Sequence, residues 1–141
     1  MKSDDWLFKM SLSRVNHLMF ASIVILVLLI ISGVRSYDFI TWFMEVLPVM
    51  IALPTLWLTY KRFPLTTLLY ACIFIHAMVL ILGGTYSYAR VPLGFQLQDF
   101  FNLSRNPYDK IGHFVQGFVP AIVAREILLR GGYVRGRRML A

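Results

Sequence analysis

The sequence is poor in charged residues and in cysteine, glycine and proline. Asp, Glu, Lys and Arg make up 15% of the 141 residues, whereas 58% are apolar or aromatic. Soluble domains carry about 25% charged residues, so this chain has too little polar surface to cover a water-facing core. Nine glycines and six prolines exclude a collagen-like protein, and a single cysteine excludes a disulfide framework. The many aliphatic and aromatic residues exclude a disordered chain.

The apolar residues fall into four stretches that are separated by short polar segments. The expected membrane spans cover residues 15–34, 39–60, 65–84 and 108–130. The first is a charge-free run of 20 residues, which as a helix is about 30 Å long and matches the hydrocarbon core of a bilayer. The sequence therefore predicts an all-α, polytopic helical membrane protein that forms one integral-membrane domain over residues 1–141, with about four transmembrane helices.

The first and fourth stretches each leave an alternative open. Ser32 and Gly33 resemble part of a signal-peptide cleavage site, but the apolar run of a signal is about 7–15 residues long, so an uncleaved span is favoured. The fourth stretch is charge-free only from Ile111 to Ala124, which is 14 residues and short for a span. Its assignment depends on the charges that follow it.

Two local signals concern the third stretch and the segment after it. Gly83 and Gly84 are expected to end the third helix, because glycine is a common helix stop. Residues 95–103 mix apolar and polar side chains, which predicts a short amphipathic segment at the membrane interface.

The net charge of +7 is interpreted through its distribution along the chain. In a soluble protein it would indicate nucleic-acid binding, whereas basic residues beside membrane spans face anionic lipid. With four spans and a cytoplasmic N-terminus, ten basic residues lie inside (Lys2, Lys9, Arg14, Lys61, Arg62, Arg125, Arg130, Arg135, Arg137, Arg138) and four outside (Arg35, Arg90, Arg105, Lys110). This bias agrees with the positive-inside rule. The expected partner is the lipid bilayer and not nucleic acid, and both termini are expected to be cytoplasmic.

The densest group of polar residues lies at the start of the fourth span. Asn106 is a favourable N-cap and Pro107 suits the first helical position. Asp109 and His113 are four residues apart and share a helix face, so Asp109 could orient His113 as a base or as a ligand for a polar headgroup. Both are candidate catalytic residues. The alternative is structural: Asp109 stabilises the helix start and His113 is an interfacial residue.

Four further residues complete the candidate site. Tyr108, Lys110 and Gln116 are candidate ligand-binding residues on the same helix. Glu45 is a third catalytic candidate, because an ionisable group inside a span is costly and marks a functional site by default. It is expected to meet Asp109, Lys110 or His113 near the outer interface, unless it is an interfacial glutamate beside aromatic residues.

Metal and cofactor sites are not predicted. Three histidines, one cysteine and scattered acids show no metal-ligand spacing, and phosphate-binding or dinucleotide-binding motifs are absent from the sequence. His76 is a lone histidine in the third span, which is expected to hydrogen-bond a neighbouring helix. Glu126 and Arg130, four residues apart, are expected to form a local helix pair.

Two long segments resemble a known family. They are LGGTYSYARVPLGFQLQDFFNLSRNPYDKIGHFVQGFVPAIVAREILLR (82–130) and WFMEVLPVMIALPTLWLTYKRFPLT (42–66). Both closely resemble the YjdF family of small bacterial inner-membrane proteins, which has no established activity. The element from Asp109 to His113 is also similar, more weakly and only locally, to the short signature of VanZ-like membrane proteins. The resemblance implies a multi-pass protein of the bacterial inner membrane with a polar motif at one face.

The chain also departs from the family pattern at two places. Family members usually continue past Arg130 into further hydrophobic segments with acidic motifs, so the resemblance implies a C-terminally truncated member. Relatives often carry an acidic residue where Arg90 stands.

Two functions are expected from these observations. The first is an uncharacterised membrane protein that binds lipid or an envelope precursor at the polar cluster on the outer face. The alternative is a small membrane enzyme that acts on a lipid-linked substrate, with His113 as the base and Asp109 or Glu45 as its partner. Transport is disfavoured because four short helices without a repeat offer little pathway, unless the protein forms an oligomer.

Overall fold

The computed structural model describes the backbone of residues 2–132 and the side chains of residues 13–132. The regular elements of this part of the chain are all helices: α1 (Lys2–Val34), α2 (Phe39–Tyr60), α3 (Thr67–Tyr86), α4 (Pro92–Phe100) and α5 (Tyr108–Arg130). Four stretches are long and apolar enough to cross a membrane: Ser13–Val34, Phe39–Tyr60, Thr67–Tyr86 and Tyr108–Arg130. The predicted all-α, four-span architecture is confirmed. Arg135, Arg137 and Arg138, which support the predicted orientation, lie outside the described residues.

Helix α3 lies at the centre of the bundle, since it packs against α1, α2 and α5. The buried core joins α1, α2 and α3 through eight residues: Ile25, Leu29, Trp42, Val46, Val49, Ala77, Leu80 and Ile81. The outward faces keep large apolar side chains exposed, among them Phe20 and Leu58. In a bilayer these faces meet hydrocarbon, so the helices are held together mainly by close packing and by hydrogen bonds between them.

Trp42 connects the end of α1 to the start of α2. Its indole Nε1 donates a hydrogen bond to Ser32 Oγ at 3.0 Å. Its ring lies against Gly33, where an added Cβ would fall 2.9 Å from Trp42 Cη2. The two small residues that resemble a cleavage site therefore form the surface on which this indole packs.

The prediction that Gly83 and Gly84 end the third helix is wrong. Helix α3 continues to Tyr86, and both glycines are buried within it. An added Cβ on Gly84 would lie 3.3 Å from the Cβ of Glu45, and one on Gly83 would lie 2.5 Å from the ring of Tyr88. The two glycines allow α3 to lie close to α2 and to the Tyr88 ring. The last residue of α3 is Tyr86, and its C-cap, Ser87, adopts a left-handed conformation.

The structure tests two predictions about the C-terminal helices, the position of α4 and the length of α5. Helix α4 covers Pro92–Phe100, three residues earlier than the predicted 95–103, because Pro92 is well suited to begin a helix. Helix α5 is continuous over 23 residues. The fourth stretch, whose charge-free part is short for a span, is therefore long enough as a helix to cross a bilayer.

At the end of the bundle where α2 and α5 end and α3 begins, an acidic side chain of α5 connects the helices. Glu126 accepts hydrogen bonds from the Thr66 backbone N–H at 2.9 Å and from Thr66 Oγ1 at 2.7 Å, so it caps the start of α3. Arg130 Nη1 lies 2.7 Å from Glu126 and also donates to the carbonyl of Pro64. The predicted local pair of Glu126 and Arg130 is confirmed, and it also anchors the connection between α2 and α3.

Candidate functional site

Helices α2 and α5 begin, and α3 ends, at the same end of the bundle, which we call the polar end. The six candidate site residues lie within the first turns of two helices: Glu45 on α2, and Tyr108, Asp109, Lys110, His113 and Gln116 on α5. The structure brings four of them together in two groups, and Tyr108 and Lys110 belong to neither. One is a partly buried contact between α2 and α5, and the other is an exposed pair on α5.

Tyr88 is the residue around which the polar end is organised. Ser87 and Tyr88 both have positive φ angles, 53° and 48°, which are uncommon for residues other than glycine. This turn folds the Tyr88 ring back between α3 and α5, against Gly83 and Gly112. The side chain is 8% exposed although the residue lies in a loop.

The Tyr88 hydroxyl belongs to a polar contact between α2 and α5. Gln116 Nε2 lies 3.3 Å from the Tyr88 hydroxyl and 3.5 Å from Glu45 Oε2. Burial, and then the nearby carboxylate of Glu45, raise the pKa of Tyr88 well above its ordinary value. The hydroxyl is therefore neutral at physiological pH and serves as a hydrogen-bonding group.

Asp109 and His113 form the pair that their spacing predicts. His113 Nε2 lies 3.4 Å from Asp109 Oδ1, and the two side chains are 72% and 53% exposed. The imidazole is almost parallel to the Tyr88 ring, with the planes 6° apart and the centroids 6.4 Å apart. The pair is solvent-accessible on one side and supported by Tyr88 on the other.

Glu45 does not take part in this pair. In the described part of the chain, no hydrogen bond or ion pair joins Glu45 to Asp109, Lys110 or His113, and its carboxylate instead lies beside Gln116 and the Tyr88 hydroxyl. The expected meeting is therefore not formed directly, since Tyr88 and Gln116 lie between α2 and the exposed pair.

Tyr108 and Lys110, two of the candidate ligand-binding residues, occupy different surroundings. Tyr108 is buried, and its hydroxyl donates a hydrogen bond to the Val79 carbonyl at 3.2 Å. This bond fixes the start of α5 to α3 and leaves the hydroxyl little capacity for a ligand. Lys110 is exposed and lines a cleft beside the loop.

This cleft has a volume of about 540 Å³. Its walls come from the loop after α3, from α4 and from the start of α5: Ser87, Tyr88, Ala89, Phe95, Gln98, Arg105, Asn106, Asp109 and Lys110. Its charged groups are the cations of Arg105 and Lys110 and the carboxylate of Asp109. Two cations against one carboxylate give the cleft an excess of positive charge, which suits an anion.

Asn106 holds the walls of the cleft together. Its Nδ2 donates hydrogen bonds to the carbonyls of Ala89 and Val91 at 3.2 and 3.1 Å, and its Oδ1 accepts one from the Tyr108 N–H at 2.9 Å. An added Cβ on Gly94 would lie only 1.9 Å from Asn106 Oδ1. The N-cap of α5 is Pro107, which makes no side-chain cap bond, so the predicted N-cap at Asn106 and the predicted first helical position at Pro107 are each one residue too early. Asn106 lies just before the cap and binds the loop and α4 to the start of α5.

Arg90 does not line this cleft. Its guanidinium lies over the Tyr37 ring, 4.0 Å from the centroid. The backbone N–H of Tyr37 also donates to the Thr85 carbonyl at 3.1 Å. Arg90 therefore joins the loop after α3 to the connection between α1 and α2.

Sequence reasoning missed the roles of Tyr88, Arg105 and Gln98. Tyr88 and Arg105 lie in loops, where no pattern of spacing points to a role. Gln98 lies in the predicted amphipathic segment, but its side chain by itself indicates no partner. Gly83 and Gly112 gave a signal for the position of Tyr88, because the Tyr88 ring packs where these two residues have no side chain. Within the described residues, no group of three or more His, Cys, Asp or Glu side chains could hold a metal ion.

Comparison with known proteins shows what the chain is similar to. Residues 17–141 match the family described as Predicted membrane protein (DUF2238). The chain is 55% identical over 121 residues to Inner membrane protein YjdF of Escherichia coli strain K12. The aligned region covers 86% of the chain and 58% of that relative, so the chain spans less than two thirds of its length. No solved structure matches the chain.

Proposed function

The chain belongs to the DUF2238 family of predicted membrane proteins, and we propose that it is a multi-pass inner-membrane protein that binds the phosphate of a lipid headgroup or a lipid-linked envelope precursor. The binding site is the cleft at the polar end. The observation that carries this proposal is the pair of cations, Arg105 and Lys110, which line one cleft of about 540 Å³.

The chemistry of the cleft supports a phosphate ligand. Arginine offers a planar set of donors that matches phosphate oxygens, and lysine adds a point charge. Gln98 also lines the cleft, and Phe95 adds an apolar surface that suits a ligand arriving from the bilayer. A phosphate that is covalently attached to a lipid would meet these groups where the helices leave the membrane.

The orientation of the protein in the membrane is part of the proposal. The bias of basic residues supports an orientation with both termini in the cytoplasm and the polar end outside. A reporter fused after Ala141 should therefore give a cytoplasmic signal, and one inserted after Asn102 a periplasmic signal. A periplasmic signal after Ala141 would contradict the four-span orientation.

Lipid binding is tested with the full chain and vesicles of defined composition. We expect tighter binding of an isoprenyl phosphate, of phosphatidylglycerol, or of both than of phosphatidylcholine. Binding of the isoprenyl phosphate alone would indicate an envelope precursor, and binding of phosphatidylglycerol would indicate a membrane lipid. Equal binding of all three lipids would contradict the proposal.

The variant Arg105→Gln/Lys110→Gln removes both cations of the cleft, and we expect it to lose the preference for the anionic phosphate lipids over zwitterionic phosphatidylcholine. The matched control is Lys61→Gln/Arg62→Gln, which removes the same charge from an exposed loop at the other end of the bundle. Charge-assisted hydrogen bonds contribute about 1.5–3 kcal/mol each, so the loss should exceed about tenfold. An equal loss in the control would indicate nonspecific attraction by net charge.

The exposed pair of Asp109 and His113 supports the alternative, a small membrane enzyme with His113 as base. The 3.4 Å separation allows Asp109, which also lines the cleft, to orient the imidazole for proton transfer with a substrate bound beside the pair. The variant His113→Ala separates the two functions, since unchanged lipid binding with lost turnover of the lipid phosphate favours the enzyme. Reduced binding without detectable turnover in the wild type favours the binding protein.

A further inference from the structure

The charged groups that line the cleft at the polar end are not paired with one another. Arg105, Lys110 and Asp109 line the same cleft, and all three residues are exposed. No ion pair among the described residues joins Asp109 to either cation, since its partner is His113. The two cations and the carboxylate are therefore all available to a ligand in the cleft.

The carboxylate of Asp109 sets a requirement that a phosphate alone does not meet. An ionised carboxylate accepts hydrogen bonds and cannot donate them, and it repels the oxygens of a phosphate. Asp109 Oδ1 is the atom that contacts His113, which leaves Oδ2 for another donor. A ligand that satisfies the cleft must therefore present phosphate oxygens to the cations and hydrogen-bond donors to Asp109.

The charge of the cleft restricts the kind of phosphate and the kind of donor. Two cations and one carboxylate leave an excess of one positive charge, which the single negative charge of a phosphodiester balances. A phosphomonoester carries close to two negative charges at neutral pH, so it brings surplus negative charge beside Asp109. An ammonium headgroup supplies donors but leaves the positive excess in place. A hydroxyl supplies a donor without changing the charge.

The cleft also has room for a headgroup beside the phosphate. Its volume of about 540 Å³ lies in the range of about 300–1,000 Å³ that is usual for pockets that hold whole small molecules. Gln98 is half-buried in the wall of the cleft, and its amide both donates and accepts hydrogen bonds, as hydroxyls do. The lining therefore suits a hydroxylated group next to the phosphate.

We propose that the ligand is a monoanionic phosphodiester lipid with a hydroxylated headgroup, an inference that rests on the phosphate-binding function proposed above. The phosphate pairs with Arg105 and Lys110, and the headgroup hydroxyls donate hydrogen bonds to Asp109. The glycerol of phosphatidylglycerol and a sugar on an isoprenyl phosphate share this chemistry. The cations thus hold the phosphate, and Asp109 selects the headgroup.

Two matched pairs of lipids test this selection, with native mass spectrometry of the full chain in detergent as the measure of binding. Phosphatidylglycerol is compared with phosphatidylethanol, and an isoprenyl hexosyl phosphate with the isoprenyl ethyl phosphate. Both members of each pair carry one negative charge, and only the first has headgroup hydroxyls. One net hydrogen bond predicts a preference of about two- to tenfold for the hydroxylated member.

The pair that shows the preference identifies the source of the ligand, glycerol in the first case and a sugar in the second. Equal binding within both pairs, with all four lipids bound more tightly than phosphatidylcholine, would overturn this inference and leave the phosphate site standing. Binding equal to that of phosphatidylcholine would overturn both. Tighter binding of phosphatidylethanolamine than of phosphatidylglycerol would also overturn the inference, because an amine would then be the preferred donor.

Variants of two neighbouring carboxylates locate the selection. Asp109→Ala should lose the preference within the pair and bind phosphatidylethanol more tightly, by up to about fivefold, because a negative charge leaves the cleft. Asp99→Ala is the matched control, since Asp99 is an exposed carboxylate on α4 that does not line the cleft, and it should keep the preference. A preference that persists in folded Asp109→Ala would show that Asp109 does not bind the hydroxyls.

Discussion

The ring of Tyr88 occupies the space that a side chain at Gly112 would need. An ideal Cβ on Gly112 would fall 2.3 Å from Tyr88 Cε1, far inside van der Waals contact. The glycine allows α5 to approach the loop after α3 closely enough for Gln116 to reach the Tyr88 hydroxyl. The polar end therefore depends on the absence of a side chain at one position of α5.

Gly112→Ala should destabilise the protein by about 1–3 kcal/mol, because the methyl group forces the Tyr88 ring or α5 to move. Gly117→Ala is the matched control on the same helix, since nothing lies within 4 Å of its Cβ position. The higher helix propensity of alanine should leave its stability unchanged or raised. Thermal unfolding in detergent micelles measures both, and equal midpoints for the two variants would contradict this packing.

Asn106→Ala should loosen the loop that forms the wall of the cleft. The variant loses the donors to Ala89 and Val91 and the acceptor for the Tyr108 N–H, at a cost of about 1–3 kcal/mol. Limited trypsin digestion should then cut faster at Arg105. Ser104→Ala, at an exposed neighbouring side chain, is the control and should be cut at the wild-type rate. Unchanged digestion of Asn106→Ala would show that this loop is held by other contacts.

Glu126→Gln and Thr66→Ala should show coupled effects on stability. Each weakens the cap that α5 provides for α3, and losing a cap costs about 0.5–2 kcal/mol. The double variant should lose less than the sum of the single variants, because they share one interaction. Unfolding midpoints of the four proteins in the cycle measure this coupling. Strict additivity would indicate that Glu126 and Thr66 act independently.

The raised pKa of Tyr88 predicts a loss of stability at alkaline pH. Since folding raises this pKa, the contribution to stability is fully present below about pH 10, the pKa of an unfolded tyrosine. It is lost progressively as the pH rises toward the pKa in the folded protein. The unfolding midpoint of Tyr88→Phe should therefore fall less steeply above about pH 10 than that of the wild type. Tyr86→Phe keeps Tyr88 and should retain the wild-type slope.

The local sequence predicts the helices because helix formation in a membrane is decided by composition and length. Four apolar stretches of about 20 residues suffice, since each backbone polar group must be satisfied within its own helix. The pair of Asp109 and His113 is equally local, because a separation of four residues places two side chains on one helix face. Both predictions agree with the structure.

Contacts between helices are harder to predict from local sequence patterns. Gly83 and Gly84 carry a local helix-stop signal, but buried contacts with Tyr88 and Glu45 override it. Glu45 meets Gln116, 71 residues away, and Glu126 caps a helix that begins 60 residues earlier. No periodicity of a single segment encodes such pairs, because they depend on which helices become neighbours.

By itself, the sequence determined that residues 13–130 form four apolar helices long enough to span a membrane, since hydrophobic length acts segment by segment. Only the tertiary structure decided which polar residues contact each other between helices and which stay exposed. Tyr88 folds back between α3 and α5 and separates Glu45 from the exposed Asp109–His113 pair. Packing of α2 and α5 on α3 leaves His76 at the base of an apolar groove. The physical reason is that burial, close approach and hydrogen bonding across helices arise only when distant segments meet.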